Sequence, residues 1–146
     1  MTLQAIETRY ADVRFRSRLE ARWAVFFDAL GIEWIYEPEI YRLPNGRGYV
    51  PDFLLPKWSF LTRFRPERPG TFVEVKPEEA FYHDELKSTL FALGIAGVCI
   101  AQVSGPPDYK AYPVSHHGRR PQWERFTWGD EETLAPAIEA ALSARF

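Results

Sequence analysis

Three residues of this chain carry charge where a folded core would resist it. They are Asp52 in Tyr49-Val-Pro-Asp-Phe-Leu-Leu55, and Glu74 and Lys76 in Thr71-Phe-Val-Glu-Val-Lys76. Side chains alternate along a strand, so Glu74 and Lys76 share one face while Val73 and Val75 share the other. A carboxylate buried among apolar neighbours costs several kcal/mol unless a partner or a cation compensates it. Two such carboxylates brought together repel each other unless a cation joins them. Their oxygens are hard donors and the chain has a single cysteine, Cys99. That donor set favours Mg²⁺ or Mn²⁺ over structural zinc. The alternative is a surface ladder of ion pairs along an edge strand.

The elements that would position these residues are legible from periodicity. Phe15, Leu19, Trp23, Phe26, Phe27 and Leu30 recur at three- and four-residue intervals, which predicts a helix over residues 15–30 stopped by Gly31. Residues 32–43 are rich in aromatic and β-branched types and run into the turn Pro44-Asn-Gly-Arg-Gly48, which predicts a hairpin into the Asp52 strand. Residues 56–70 have the composition of a loop projecting from the sheet. The Glu74 strand ends at Pro77. Tyr82, Leu86, Leu90 and Leu93 then predict a helix over residues 79–93 capped by Gly94, and residues 98–103 read as a strand. A helical crossover places that strand parallel to 71–76 in one sheet. Residues 112–114 and 123–128 read as a late hairpin. Leu134, Ile138 and Leu142 predict a closing helix with Pro136 in its first turn.

At 146 residues, 46% hydrophobic, the chain fits one domain with a real core. Its apolar runs are too short to span a membrane and its start lacks a secretory pattern, so a soluble cytoplasmic protein is expected. Cys99 reads as a small core residue. Residues 1–76 carry 12 Lys/Arg against 10 Asp/Glu, and residues 77–146 carry 6 against 10. The basic residues gather at Arg9, Arg14, Arg16, Arg18 and Arg22, and again with Lys57 at Arg63, Arg65 and Arg68. Both groups read either as phosphate-binding surfaces or as solvated faces.

The order Pro51-Asp52, then Glu74-Val-Lys76, resembles the PD-(D/E)xK, restriction-endonuclease-like nuclease superfamily over residues 15–107. The resemblance implies an α/β core of order α-β-β-β-α-β, a central mixed sheet flanked by helices, with β and α additions over 108–146. It implies a metal-dependent nuclease, a DNA endonuclease, in which Asp52 and Glu74 bind Mg²⁺ or Mn²⁺ and Lys76 positions or activates the attacking water. Superfamily members commonly place a further Glu on the preceding helix, which maps onto Glu20 as a catalytic and metal-site residue. Lys87 or His83 maps onto a polar position of the following helix. The segment around Tyr49-Val-Pro-Asp-Phe and Phe72-Val-Glu-Val-Lys-Pro77 is most similar to small phage nucleases and to heteromeric transposase endonuclease subunits.

Several of these residues have a second reading. Ser17-x-x-Glu20 is also a helix capping box. His116 and His117 sit in a turn-rich stretch that reads as an ordinary loop. Trp23 and Trp34 belong on core faces, whereas Trp58, in the basic loop, is a candidate for stacking on bases. Lys57, Arg63, Arg65, Arg68 and Lys87 are the candidate nucleic-acid contacts. Two alternatives to a free-standing DNA endonuclease remain: an inactive nucleic-acid-binding or partner-docking module, and a subunit active only within a transposase or recombination complex. A homodimer or a protein partner suits the acidic second half.

Overall fold

In the computed structural model, the residues described are 5–42, 46–58, 70–77, 100–108, 114–116, 124–125 and 127–146. The first helix, α1 (Arg18–Ala29), starts three residues later than its apolar periodicity suggests. Ser17 is extended and its hydroxyl accepts the Glu20 amide at 3.1 Å, which fixes the start. Gly31, at φ 69°, supplies the left-handed residue just past the other end. Trp23, Ala24, Phe26 and Phe27 of α1 are buried.

Phe15 is buried as expected, but on a strand. A hairpin unforeseen from the sequence, β1 (Thr8–Tyr10) and β2 (Val13–Phe15), precedes the helix, with Thr8 opposite Phe15 and Arg9 opposite Arg14. Its turn residues Ala11 and Asp12 both have positive φ, 49° and 61°, as a two-residue primed turn requires. Neither is glycine or asparagine, so the usual turn signal is missing. Three residues per strand also give too little alternation to recognise.

The predicted hairpin of residues 32–55 forms in two pieces. β3 (Ile35–Tyr36) pairs antiparallel with β6 (Phe53–Leu55), and β4 (Tyr41–Arg42) pairs with β5 (Gly48–Tyr49) as a separate ribbon. Glu37, at φ 46°, and Pro38 break the first strand from the second. β7 (Thr71–Lys76) pairs antiparallel with β6 and parallel with β8 (Ile100–Ser104), as the crossover rule anticipates. β9 (Val114–His116) and β10 (Glu124–Arg125) complete a mixed six-stranded sheet of order β10-β9-β8-β7-β6-β3. The late hairpin therefore forms. The predicted helix over 79–93, with Lys87 and His83, lies outside the described residues, as do Cys99, His117 and the basic loop with Arg63, Arg65 and Arg68.

The core lies between one face of this sheet and α1. Phe53, Leu55, Val73, Val75, Ala101 and Val103 meet Phe15, Trp23 and Phe27, and the Phe27 and Phe53 rings stand edge to face at 5.3 Å. Each fully buried Phe contributes roughly 2–3 kcal/mol of transfer free energy. Trp58, the candidate for stacking on bases, is partly buried against this packing, its ring 5.9 Å from that of Trp128. Trp34 is half-buried against the same cluster.

The closing helix α2 (Glu131–Ser143) packs on α1. Asp130 caps it by accepting the Thr133 amide at 2.8 Å, which moves Pro136 to the second turn, not the first. There it is exposed, and lacking an N–H it makes no helical bond to the Glu132 carbonyl. Leu134, Ala137, Ile138 and Ala141 form the buried face, and Leu142 is exposed. Arg22 Nη1 donates to the Ala141 and Leu142 carbonyls at 2.6 and 2.8 Å, tying the end of α2 to α1. Among the described residues, no helix is long and apolar enough to cross a membrane.

Candidate active site

β7 lies inside the sheet, flanked by β6 and β8, which rules out an edge-strand ladder for Glu74 and Lys76. Glu74 is 3% exposed and Asp52 4%, so both carboxylates are withdrawn from water. Asp52 precedes β6 by one residue, and its carbonyl accepts the Glu37 amide at 2.9 Å, extending the β3–β6 pairing. Its side chain bridges two parts of the fold. Oδ2 accepts the Val75 amide at 2.8 Å, and Oδ1 accepts Arg16 Nη2 at 2.6 Å.

Glu74 leaves the core face of β7 for the side covered by β4 and β5. There the Tyr49 hydroxyl donates to Glu74 Oε1, and Tyr41 packs edge-on against Phe72 at 5.1 Å. Lys76 lies on the same face of the strand as Glu74, with Nζ 3.4 Å from Glu74 Oε2 and its side chain 35% exposed. The ammonium is thus held by the carboxylate and still reaches solvent, the arrangement the strand alternation predicts.

Glu20 reaches the same neighbourhood from the first turn of α1. Its amide completes half of a capping box with Ser17, but its carboxylate takes other donors: the Arg16 amide at 3.1 Å and the Tyr36 hydroxyl at 2.6 Å. Arg16 then joins the parts. Its guanidinium bonds Asp52, sits 2.8 Å from Glu37 Oε1 and 3.7 Å from Glu20 Oε1, and its Nε donates to the Tyr36 hydroxyl at 3.3 Å. Glu37 occupies a left-handed backbone conformation ahead of a proline, a strain on the order of 1–2 kcal/mol. Three carboxylates from three segments therefore surround one guanidinium.

Protonation energetics reflect this crowding. Burial raises the Asp52 carboxyl from its ordinary value of 3.8 to about 8, helped by the charge of Glu74. The Val75 amide and Arg16 oppose the shift without cancelling it. Burial likewise pushes the Tyr36 phenol up to about 12, with its bond to Glu20 adding to the effect. The Tyr49 phenol is driven far above its usual range by burial and by Glu74. Both tyrosines therefore remain neutral donors that hold a carboxylate in place.

Gln102 is the register partner of Glu74 on the parallel neighbour β8, so the two share a face. It is 3% exposed and its Oε1 has no hydrogen-bond partner among the described residues. An orphaned amide oxygen beside a buried carboxylate, with a second carboxylate electrostatically coupled to it, is a donor set that suits a hard divalent cation. Among the described residues no group of three or more His, Cys, Asp and Glu converges as a ready-made cluster. Two carboxylates nevertheless match the habit of Mg²⁺, which completes its shell with water and phosphate oxygens.

Of the residues singled out from sequence, Asp52, Glu74, Lys76 and Glu20 come into one linked network. Lys57 does not join it; it is an exposed partner of Glu33 at 2.7 Å. The first arginine group is divided among separate tasks: Arg14 pairs with Glu7 at 2.6 Å, Arg22 holds α2, and Arg16 enters the site. Tyr36, Glu37, Tyr49 and Gln102 escaped sequence reasoning, which named Arg16 only as one of a basic cluster and not as a partner of Asp52. For Gln102 a signal existed, a lone amide in the apolar strand Val98-Cys-Ile-Ala-Gln-Val103. The others arrive through folding contacts that spacing does not encode. Compared with known protein families, with curated proteins and with solved structures, the chain matches none.

Proposed function

We propose that this protein is a metal-dependent nuclease that hydrolyses phosphodiester bonds in DNA, built on a restriction-endonuclease-like core. The observation that carries this reading is the presence of two buried carboxylates, Asp52 and Glu74, with Lys76 on the same strand face as Glu74. Burying two acids side by side costs stability that a purely structural role does not require.

Asp52 and Glu74 are the residues that would hold Mg²⁺ or Mn²⁺, with Gln102 Oε1 beside them. The cation supplies Lewis-acid polarisation of the phosphate and acidifies water in the site. In hydrolysis, water oxygen bonds to phosphorus, the bond to one ester oxygen breaks, and that oxygen leaves with a proton. Lys76 offers a donor to the attacking water or to the charge developing on the phosphate. Tyr49 holds Glu74, while Tyr36 and the Arg16 amide hold Glu20, so neither carboxylate must reorganise during reaction. Arg63, Arg65 and Arg68 serve as backbone phosphate contacts on the sequence reading.

The experiment is incubation of the protein with supercoiled, linear, branched and single-stranded DNA in Mn²⁺, beside Asp52→Asn and Lys76→Ala. Cleavage by the wild type alone supports the reading, and equal cleavage by the folded variants overturns the site. A second reading draws on the Arg16–Asp52 ion pair itself. If that guanidinium never leaves, the fold is a nucleic-acid-binding module without hydrolysis, and no DNA form is cut.

A further inference from the structure

Arg16 sits where the carboxylate pocket needs a positive charge. We propose that Arg16 is the resident counter-cation of this pocket, that a divalent cation enters by displacing it, and that the freed guanidinium then engages a substrate phosphate. The proposal rests on the nuclease reading for its substrate, but the exchange itself is a property of the protein and metal alone.

The geometry favours exchange over a permanent structural bridge. Arg16 bonds Asp52 at 2.6 Å and Glu37 at 2.8 Å and approaches Glu20 at 3.7 Å, so its charge answers carboxylates from three segments. Its side chain is nevertheless 61% exposed, whereas those of Asp52 and Glu20 are 5% and 10% exposed. The guanidinium therefore has a path to solvent that Asp52 and Glu20 lack, and Glu37, 38% exposed, lies on that path. Arg16 is not part of the apolar core, where Phe15, its neighbour in the chain, anchors this segment.

Two of the acceptor carboxylates, Asp52 and Glu20, are also held by other donors. Asp52 Oδ2 keeps the Val75 amide, Glu20 keeps the Tyr36 hydroxyl, and the Glu37 amide keeps the Asp52 carbonyl. When Arg16 swings out, these bonds preserve the pocket. A compact doubly charged ion gains more from such hard oxygens than a delocalised guanidinium does. The planar fork of arginine, in turn, matches two phosphate oxygens in a bidentate contact. One cation replaces another and no covalent bond changes. The left-handed backbone at Glu37, which brings that carboxylate to Arg16, fits a docking place built for the resting side chain.

The test is calorimetric titration of the full chain with MnCl2, without nucleic acid, for the wild type, Arg16→Gln, Arg16→Lys and Arg14→Gln. Removing the competitor in Arg16→Gln is expected to tighten Mn²⁺ binding at least tenfold. Arg16→Lys, which retains a charge, stays within a few-fold of wild type. Arg14→Gln removes a nearby charge that pairs with Glu7 instead, and leaves the affinity unchanged. Should Arg16→Gln fail to fold, the wild type still answers: the Arg16 Nε–H resonance must shift on saturation with MgCl2. Equal or weaker Mn²⁺ binding by folded Arg16→Gln, or an unmoved Arg16 resonance at saturation, overturns the exchange while leaving the metal-dependent reading intact. If neither wild type nor Arg16→Gln binds Mn²⁺, both fail. If Arg16→Gln alone binds, the divalent cation does not displace Arg16 in the wild type, the exchange is overturned, and the wild type is the inactive module.

Discussion

The Val75 amide donates to Asp52 Oδ2 at 2.8 Å, so the carboxylate is fixed against the residue that separates Glu74 from Lys76. Asp52 is thereby tied by a backbone donor to the strand that carries Glu74 and Lys76. Asp52→Asn can preserve this bond through its amide oxygen, which makes it the cleaner variant. It and Lys76→Ala are expected to reduce plasmid cleavage by a hundredfold or more, about 2.7 kcal/mol in the barrier, with unchanged circular dichroism. Mn²⁺ affinity falls for Asp52→Asn more than for Lys76→Ala, because ammonium is not a ligand.

Glu20 serves two structures at once, a cap through its amide and a charge network through its carboxylate. Ser17→Ala removes the cap and is expected to cost ~1 kcal/mol of stability without changing the cleavage rate. Glu20→Gln keeps an acceptor oxygen for the Arg16 amide and the Tyr36 hydroxyl, so its melting temperature changes little. Its cleavage rate falls tenfold or more, about 1.4 kcal/mol. A Glu20→Gln variant of full activity would leave Glu20 with the helix alone.

The pH response follows from Asp52. Its native carboxyl holds the proton up to about 8, against 3.8 ordinarily, because of burial and Glu74. The native state therefore binds the proton more tightly than the unfolded chain. The stability from this group is complete below about pH 4 and is lost as the pH rises through about 8. Melting curves in EDTA are expected to show this decline, and Asp52→Asn to remove it. At pH 8 and above that variant should be the more stable by at least about 1 kcal/mol, a shift on the order of 3 °C. Parallel pH profiles for both proteins would contradict the assignment.

Trp58 separates packing from base recognition. With its ring 5.9 Å from Trp128 and against the core, Trp58→Ala is expected to lose about 2 kcal/mol or more of stability in urea. DNA affinity, measured by fluorescence anisotropy where both proteins are folded, should stay within twofold. A selective loss of single-stranded binding would return Trp58 to the nucleic-acid surface.

By itself the sequence determined the elements whose periods are long or strongly constrained. Helix α1, the alternation of Glu74 and Lys76 against Val73 and Val75, the parallel pairing of β7 with β8, and the closing helix follow from repeating patterns that only one secondary structure satisfies. It also determined that Asp52 and Glu74 need an explanation, because strand burial and charge are incompatible without a partner. The hairpin β1–β2 was not legible: its strands are three residues long and its turn uses alanine and aspartate at positive φ. Nor does composition show which protein groups Arg14, Arg22 and Lys57 meet, because those partners are set by the fold. Only the tertiary structure decided that Arg16, Tyr36, Glu37, Tyr49 and Gln102 surround the carboxylates. Their segments are far apart in the chain or lack any diagnostic spacing, and what joins them is strand register, the break at Glu37 and the reach of long side chains across a closed core, quantities that exist only after folding.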